Sequence, residues 1–178
     1  MHSLQTRQLI KERRLEDNLW KVVALQEGED PAAARLPVGP LLVPAAIWKA
    51  RKACLIACEY EHGWPLGVWL GPTDDPAAIA ADLDDFTVIG VHFPKFTDGR
   101  GYSIARLLRE RYGYRGELRA FGDVGRDQIF ILNRVGFDSF LIGEGRSAED
   151  ALAAFDDFPE VYQSGADLPI PLFRRRAA

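Results

Sequence analysis

Thr87-Val-Ile-Gly-Val-His-Phe93, running into Pro94-Lys-Phe-Thr-Asp-Gly-Arg-Gly-Tyr-Ser103, is the stretch on which the fold turns. A short apolar run rich in β-branched residues and followed by turn chemistry reads as a buried strand, and a helical pattern begins after Ser103. The arrangement recurs at Glu117-Leu-Arg-Ala-Phe121, which enters Gly122-Asp-Val-Gly-Arg-Asp-Gln128 and a second helical pattern. Working outward, strands are expected to start at Leu66, Thr87, Glu117 and Ser139, each leading to a turn and a helix. Starts separated by roughly 20 to 30 residues suit parallel strands with helical crossovers, because a hairpin needs far less chain.

The helices carry their own punctuation. Asp75-Pro76 is an N-cap followed by proline at the first helical position, with Ile79 and Leu83 continuing an apolar face. After Ser103 the spacing buries Ile104, Leu107, Leu108 and Tyr112, and Gly113 is placed to end that helix. Ser147-Ala-Glu-Asp150 resembles a capping arrangement ahead of Ala148, Ala151, Leu152 and Phe155. The expected fold class is α/β: a parallel sheet of repeated βα units, half-barrel-like or open doubly wound, with an N-terminal β-hairpin and an extended C-terminal arm. A complete eight-stranded barrel needs about 250 residues, more than this chain has.

Residues 1–40 read as a hairpin arm of the same domain and 41–178 as a single α/β domain. Gln8-Leu-Ile-Lys-Glu and Leu19-Trp-Lys-Val-Val-Ala-Leu25 would be the hairpin strands, joined by a Glu16-Asp-Asn turn. Turn-rich segments at Glu27–Pro31 and Leu36–Pro40 follow, and a helix is expected between Pro44 and Cys58 from the spacing of Ile47, Ala50, Cys54 and Cys58. The tail from Phe158, with Pro159, Pro169 and Pro171, reads as an extended arm ending in the basic Arg174-Arg-Arg176.

Composition narrows the function classes. With 47% hydrophobic and 27% charged residues over 178 positions the chain is of ordinary globular make-up, and no window approaches the roughly 20 apolar residues of a membrane span. The N-terminal Met1-His-Ser-Leu-Gln-Thr-Arg-Gln lacks a secretory core, so a cytoplasmic location is expected. A net charge of −4 argues against nucleic acid as a partner. Arg100, Arg106, Arg109, Arg111, Arg115 and Arg119 nevertheless gather in one unit, read as a solvated helix face or, alternatively, as a site for an anionic ligand or an acidic partner. Cys54 and Cys58 share a helix face, but two thiols need two further ligands to hold a metal, and His2, His62 and His92 form no partner set. They are expected to be small core residues, with no metal and no cofactor.

Loops leaving the carboxyl ends of parallel strands share one face, where ligands bind. That rule places Lys95, Asp98, Gly99, Arg100, Gly101 and Ser103 beside Asp123, Arg126, Asp127 and Gln128, with Glu144 and Arg146 from the next loop. These are the candidate ligand-binding residues. Glycines flanking Arg100 would allow positive φ or close approach to a ligand, and the free N–H groups of a helix starting near Ser103 would suit a small anion. The competing readings have the Asp and Arg residues capping helices and pairing with one another, or forming a protein-docking surface. No nucleotide fingerprint, P-loop or nucleophile-base pair is visible, so whether the chain is an enzyme stays open and no catalytic residues are assigned. His92 reads as a core or sheet-end histidine, or else as an acid or base in the site. Trp64 and Trp69 read as core.

The runs Phe93–Arg111, Gly116–Gln128 and Arg134-Val-Gly-Phe-Asp-Ser-Phe140 resemble an uncharacterised bacterial family whose members are labelled oxidoreductases of sulfite reduction. The resemblance covers about the C-terminal two-thirds of the chain. It implies an accessory role in assimilatory sulfite reduction, with sulfite reductase or another sulfate-assimilation enzyme as partner, or a small anion as ligand. The alternatives are an independent enzyme acting on a phosphorylated or carboxylated metabolite and a ligand-free homodimer. Where that family carries a bulky apolar residue between Val124 and Arg126 this chain has Gly125, which predicts a looser helix start.

Overall fold

The computed structural model describes residues 8–158 and 160–175. The expectations for residues 1–7, His2 among them, and for Pro159 and Arg176 lie outside the described residues. Eight strands form one curled, half-barrel sheet in the order β2-β1-β8-β7-β6-β5-β4-β3. The strands are β1 (Gln8–Lys11), β2 (Arg14–Asp17), β3 (Lys21–Val22), β4 (Leu41–Pro44), β5 (Leu66–Leu70), β6 (Val88–Phe93), β7 (Glu117–Gly122) and β8 (Ser139–Leu141). From β3 to β8 every pairing is parallel, and β1 joins β8 antiparallel. All four strands expected from Leu66 onward form, within a residue of their predicted starts.

The curl follows from chain length. β2 ends at Asp17 and β3 starts at Lys21, yet they occupy opposite edges of the sheet. Four Cα steps reach at most about 14 Å, whereas eight flat strands at about 4.8 Å spacing put their edges about 34 Å apart. The sheet must therefore bend until Asn18-Leu19-Trp20 can cross its concave side. Asn18 meets Arg119 of β7, and the Trp20 ring lies over Gly67 of β5.

Strand alternation divides the side chains between two faces. Ile89, Val91 and Phe93 of β6, with Leu118 and Ala120 of β7, enter the core beneath the helices. Val88, Phe121, Leu42, Leu9 and Leu141 turn to the concave face and pack with Trp20, Val22 and Trp69. A β-carbon on Gly90 would stand 2.8 Å from Leu42 Cδ2 and 3.1 Å from both Phe121 and Trp69, so glycine here lets those side chains converge.

The covering helices are α1 (Ala45–His62), a 3₁₀ helix (Pro76–Asp85), α2 (Arg100–Arg106) continuing into a π turn (Leu107–Arg111), α3 (Arg126–Arg134), α4 (Ala148–Ala153) and α5 (Leu172–Arg175). The predicted caps are present: Asp75 accepts from Ala77 N, Ser147 accepts from Asp150 N, and Gly113 stops the π turn at φ 70°. No described helix is long and apolar enough to cross a membrane. The C-terminal arm folds back on the domain, where Arg134 bonds Gln163 O and Asp167, and Phe158 packs on Phe130.

Four expectations are corrected. The N-terminal hairpin pairs Gln8–Lys11 with Arg14–Asp17 through a two-residue turn at Glu12 and Arg13, both at positive φ; Lys21–Val22 lies on the far edge instead. Cys54 and Cys58 are exposed, because α1 kinks at Arg51 and buries Ile47, Trp48 and Leu55. Leu107 is 37% exposed, since the buried face of this helix runs through Gly101, Ile104, Ala105 and Leu108 and leaves it to one side. Arg119 does not belong to a solvated helix face: it is 1% exposed, on a strand of the concave side.

Candidate functional site

Parallel pairing of β6, β7 and β8 brings their carboxyl-end loops to one rim, as expected. The link between them is Asp123, which follows Gly122 at φ 103°. Its backbone N–H donates to Phe93 O at 2.7 Å, one carboxylate oxygen accepts from Phe96 N at 2.8 Å, and the other accepts from Arg146 Nη2 at 2.5 Å. Gln128, 4% exposed, is the second link: it accepts from Gly125 N at 3.0 Å and donates to Phe96 O at 3.2 Å. One carboxylate and one carboxamide thus hold three loops in fixed relation. Phe96 is gripped at both its N–H and its carbonyl while the residue as a whole is 45% exposed.

The other candidates satisfy one another locally. Asp98 forms a two-point pair with Arg100, at 2.9 and 2.6 Å, and accepts from the Arg100 backbone N–H at 3.2 Å. Hydrogen bonding from the Arg100 guanidinium holds the Asp98 carboxyl down at about 2. The Asp98 carboxylate occupies the helix start where a small anion was expected. α2 begins at Arg100, three residues before Ser103, and of the flanking glycines only Gly101 serves packing: a β-carbon there would strike the Phe93 ring, whereas Gly99 has an ordinary φ of −83° and room for a side chain. Arg126 turns away from the rim to bind Asp157 at 2.8 and 2.9 Å and Asp150 at 3.2 Å. Lys95, Ser103, Asp127 and Glu144 are exposed around the rim. Gly125 does not loosen α3, because the Gln128 carboxamide caps its N–H, and a β-carbon there would intrude on the path by which Arg146 reaches Asp123.

His92 lies on the concave face at this same end, half-buried, its ring 5.0 Å from that of Phe121 and 5.7 Å from that of Trp69. Burial pushes its pKa down, so the neutral imidazole is favoured. Trp69 is half-buried there too, with its indole N–H on Val23 O at 2.8 Å.

The most deeply buried charges lie lower on the concave face, and sequence reasoning missed them. Arg119 donates Nε to Glu117 at 2.8 Å and to Ser139 Oγ at 3.1 Å, and Nη1 to Asn18 Oδ1 at 3.1 Å; its guanidinium stands 5.6 Å from the centre of the Trp20 ring. Glu117 also binds Lys11 at 2.9 Å. Burial works to raise the Glu117 pKa, but Arg119, Ser139 and Lys11 outweigh it and hold the carboxyl below its ordinary value. A charged residue alternating with core residues in Leu118-Arg-Ala120 was the available signal. A groove of about 580 Å³ opens at the opposite end of the sheet from the rim, lined in part by Arg109, Arg115, Asn133 and Asp138. Its Arg109 is committed to the carbonyls of Gly136, Tyr114 and Gly116 and to Asp138. Among the described residues no group of three or more His, Cys, Asp or Glu side chains could hold a metal ion.

No curated protein matches the chain. A family model described as "Bacterial protein of unknown function (DUF934)" matches residues 67–173, the span that runs from the second residue of β5 through β8 and contains all three rim loops. That span is more than half of the chain, and the chain belongs to this family.

Proposed function

We propose that the chain is an accessory protein that docks on a partner enzyme through its carboxyl-end rim. The observation that carries this reading is Phe96: an aromatic residue 45% exposed on a loop whose backbone is clamped on both sides by Asp123 and Gln128. A rigid, exposed aromatic surrounded by charged groups is the composition of an interface anchor, since little ordering entropy is lost when it is covered. The rim supports small-anion binding less well. Arg100 and Arg146 are each paired with a carboxylate of this chain and Arg126 is turned away onto Asp157, so an anion would have to displace a carboxylate.

The resemblance of Phe93–Arg111 and Gly116–Gln128 to proteins labelled for sulfite reduction supplies the partner: assimilatory sulfite reductase or an enzyme acting beside it. In this reading the chain performs no redox step of its own. The test is co-purification of the reductase with the tagged chain, compared with Phe96→Asp. Retention by the native chain and loss with the variant, at unchanged melting temperature, is the expected result. Equal recovery with both, or recovery with neither, refutes docking through the rim. A melting-temperature rise with sulfite, abolished by Arg100→Ala, would favour the anion reading instead.

A further inference from the structure

The groove of about 580 Å³ at the amino ends of β7 and β8 has a floor built by one side chain. Arg109 Nη1 donates to Tyr114 O and to Gly116 O, both at 2.8 Å, and Arg109 Nε donates to Gly136 O at 2.9 Å. One guanidinium thus fixes the segment that carries Arg115 against the turn that follows Asn133. Glycine at 136 keeps the path clear: its φ is 112°, and a β-carbon there would stand 2.6 Å from Arg109 Cγ. Each carboxylate bordering the groove is held within the chain, Glu110 by Arg106, Asp138 by Arg109 and Asp167 by Arg134. Arg115 and Asn133 border the same groove and are left over. Among the described residues Arg115 makes no hydrogen bond and no ion pair, and the Asn133 carboxamide has no partner. Glu12 and Asp84, which border the depressions on either side of Arg115, do not come within ion-pair distance of it.

We infer that this groove binds a metabolite-sized anion, with Arg115 receiving its carboxylate or phosphate group and the Asn133 carboxamide a second hydrogen-bonding function. The charge selects the ligand: the three ion pairs around the groove are neutral, which leaves the Arg115 guanidinium as its unbalanced charge. A guanidinium offers two parallel N–H donors to either kind of anionic group. The volume lies within the range of small-molecule sites. Because Arg109 already fixes the backbone on both sides of Arg115, capture costs little ordering there. The rim lies at the carboxyl ends of the strands, so this site goes beyond the docking role proposed above and leaves Phe96 free when it is filled.

The C-terminal arm reports on occupancy. Ala166 and Asp167 form one wall of the groove, held on α3 by Ala166 N donating to Arg134 O at 2.8 Å and by the Asp167–Arg134 pair at 3.3 Å. A ligand in the groove covers this stretch, and its amide exchange should slow. The experiment titrates citrate and pyrophosphate into the full chain at low ionic strength, with sodium chloride at matched ionic strength as control, and follows calorimetry and amide hydrogen exchange. The expected result is saturable binding of at least one of the two with a dissociation constant of about a millimolar or tighter. Slowed exchange should be confined to residues 133–137 and 165–167. Arg115→Gln should weaken binding about tenfold at unchanged melting temperature, and Asn133→Ala should weaken it severalfold. A response to pyrophosphate alone identifies a phosphate ligand, and one to citrate alone a carboxylate. Absence of saturable binding by both anions, undiminished binding in Arg115→Gln, or exchange slowed at rim residues 95–98 instead overturns the inference.

Discussion

Replacing Arg119 with methionine perturbs the most deeply buried ionic group described in the protein. Its guanidinium is shared among Glu117, Ser139 and Asn18, with the Trp20 ring beside it. Methionine fills similar apolar volume but leaves the Glu117 carboxylate, 8% exposed, with only Lys11 and Ser139. Removing one partner of a buried pair costs about 3–5 kcal/mol, because the other charge stays desolvated. At about 2–4 °C per kcal/mol for a domain of this size, the melting temperature should fall on the order of 10 °C. Adding Glu117→Gln should recover part of that loss, with a coupling of about 0.5–3 kcal/mol. The sign with pH is also fixed. Glu117 is held below its ordinary 4.5, so its contribution is present above that pH and drains as the pH falls through the folded value. Urea titration of the single and double variants at pH 7 and at pH 4 measures each quantity. A loss under about 1 kcal/mol for Arg119→Met, the size of an exposed pair, would refute the argument that Glu117 stays desolvated and depends on this guanidinium.

His92 predicts a second pH effect. Its neutral form is favoured by burial, so the unfolded chain takes up a proton first, and stability present above pH 6.5 should decline on acidification below it; His92→Phe should flatten urea midpoints between pH 7 and 5. Gly90→Ala should destabilise by about 1–3 kcal/mol through overpacking against Leu42, Phe121 and Trp69; a neutral outcome in the same titration would mean that the concave face is looser than described. Asp123→Ala removes the acceptor for both Phe96 N and Arg146, and amide hydrogen exchange should accelerate in residues 95–98 and 143–146 while the strands stay protected.

Much of the sheet was legible because β5 to β8 are largely buried and bounded by turns, with β5, β6 and β8 reading as apolar runs and β7 found from its place in the repeated strand-turn-helix spacing. The caps at Asp75, Ser147 and Gly113 were legible for the same local reason: each satisfies its helix end with a neighbouring residue. The edges were not. All four residues of β2 are exposed, β3 is two residues long, and the Glu12-Arg13 turn lacks the Asn-Gly chemistry that ordinarily marks such a hairpin. β4 went unassigned because Pro40 and Pro44 leave only three apolar residues, Leu41-Leu-Val43, between a turn and a helix start. At the rim, chain topology alone predicted that Asp123, Gln128 and Arg146 would come together. It could not give side-chain direction, which sends Arg126 to Asp157 and folds Asp98 onto Arg100. The cysteines misled because helical spacing was read across the kink at Arg51.

Placing the first strands at the two extremes of the sheet has a consequence for biosynthesis. β1 has as its inner neighbour β8, made some 130 residues later. The nascent N-terminal segment therefore waits, unable to find its native neighbour until nearly the whole polypeptide has left the ribosome, while β4 to β7 can assemble in order of synthesis. Docking of the hairpin is then a finishing step, and truncations that remove Ser139–Leu141 should leave residues 8–17 open to proteolysis.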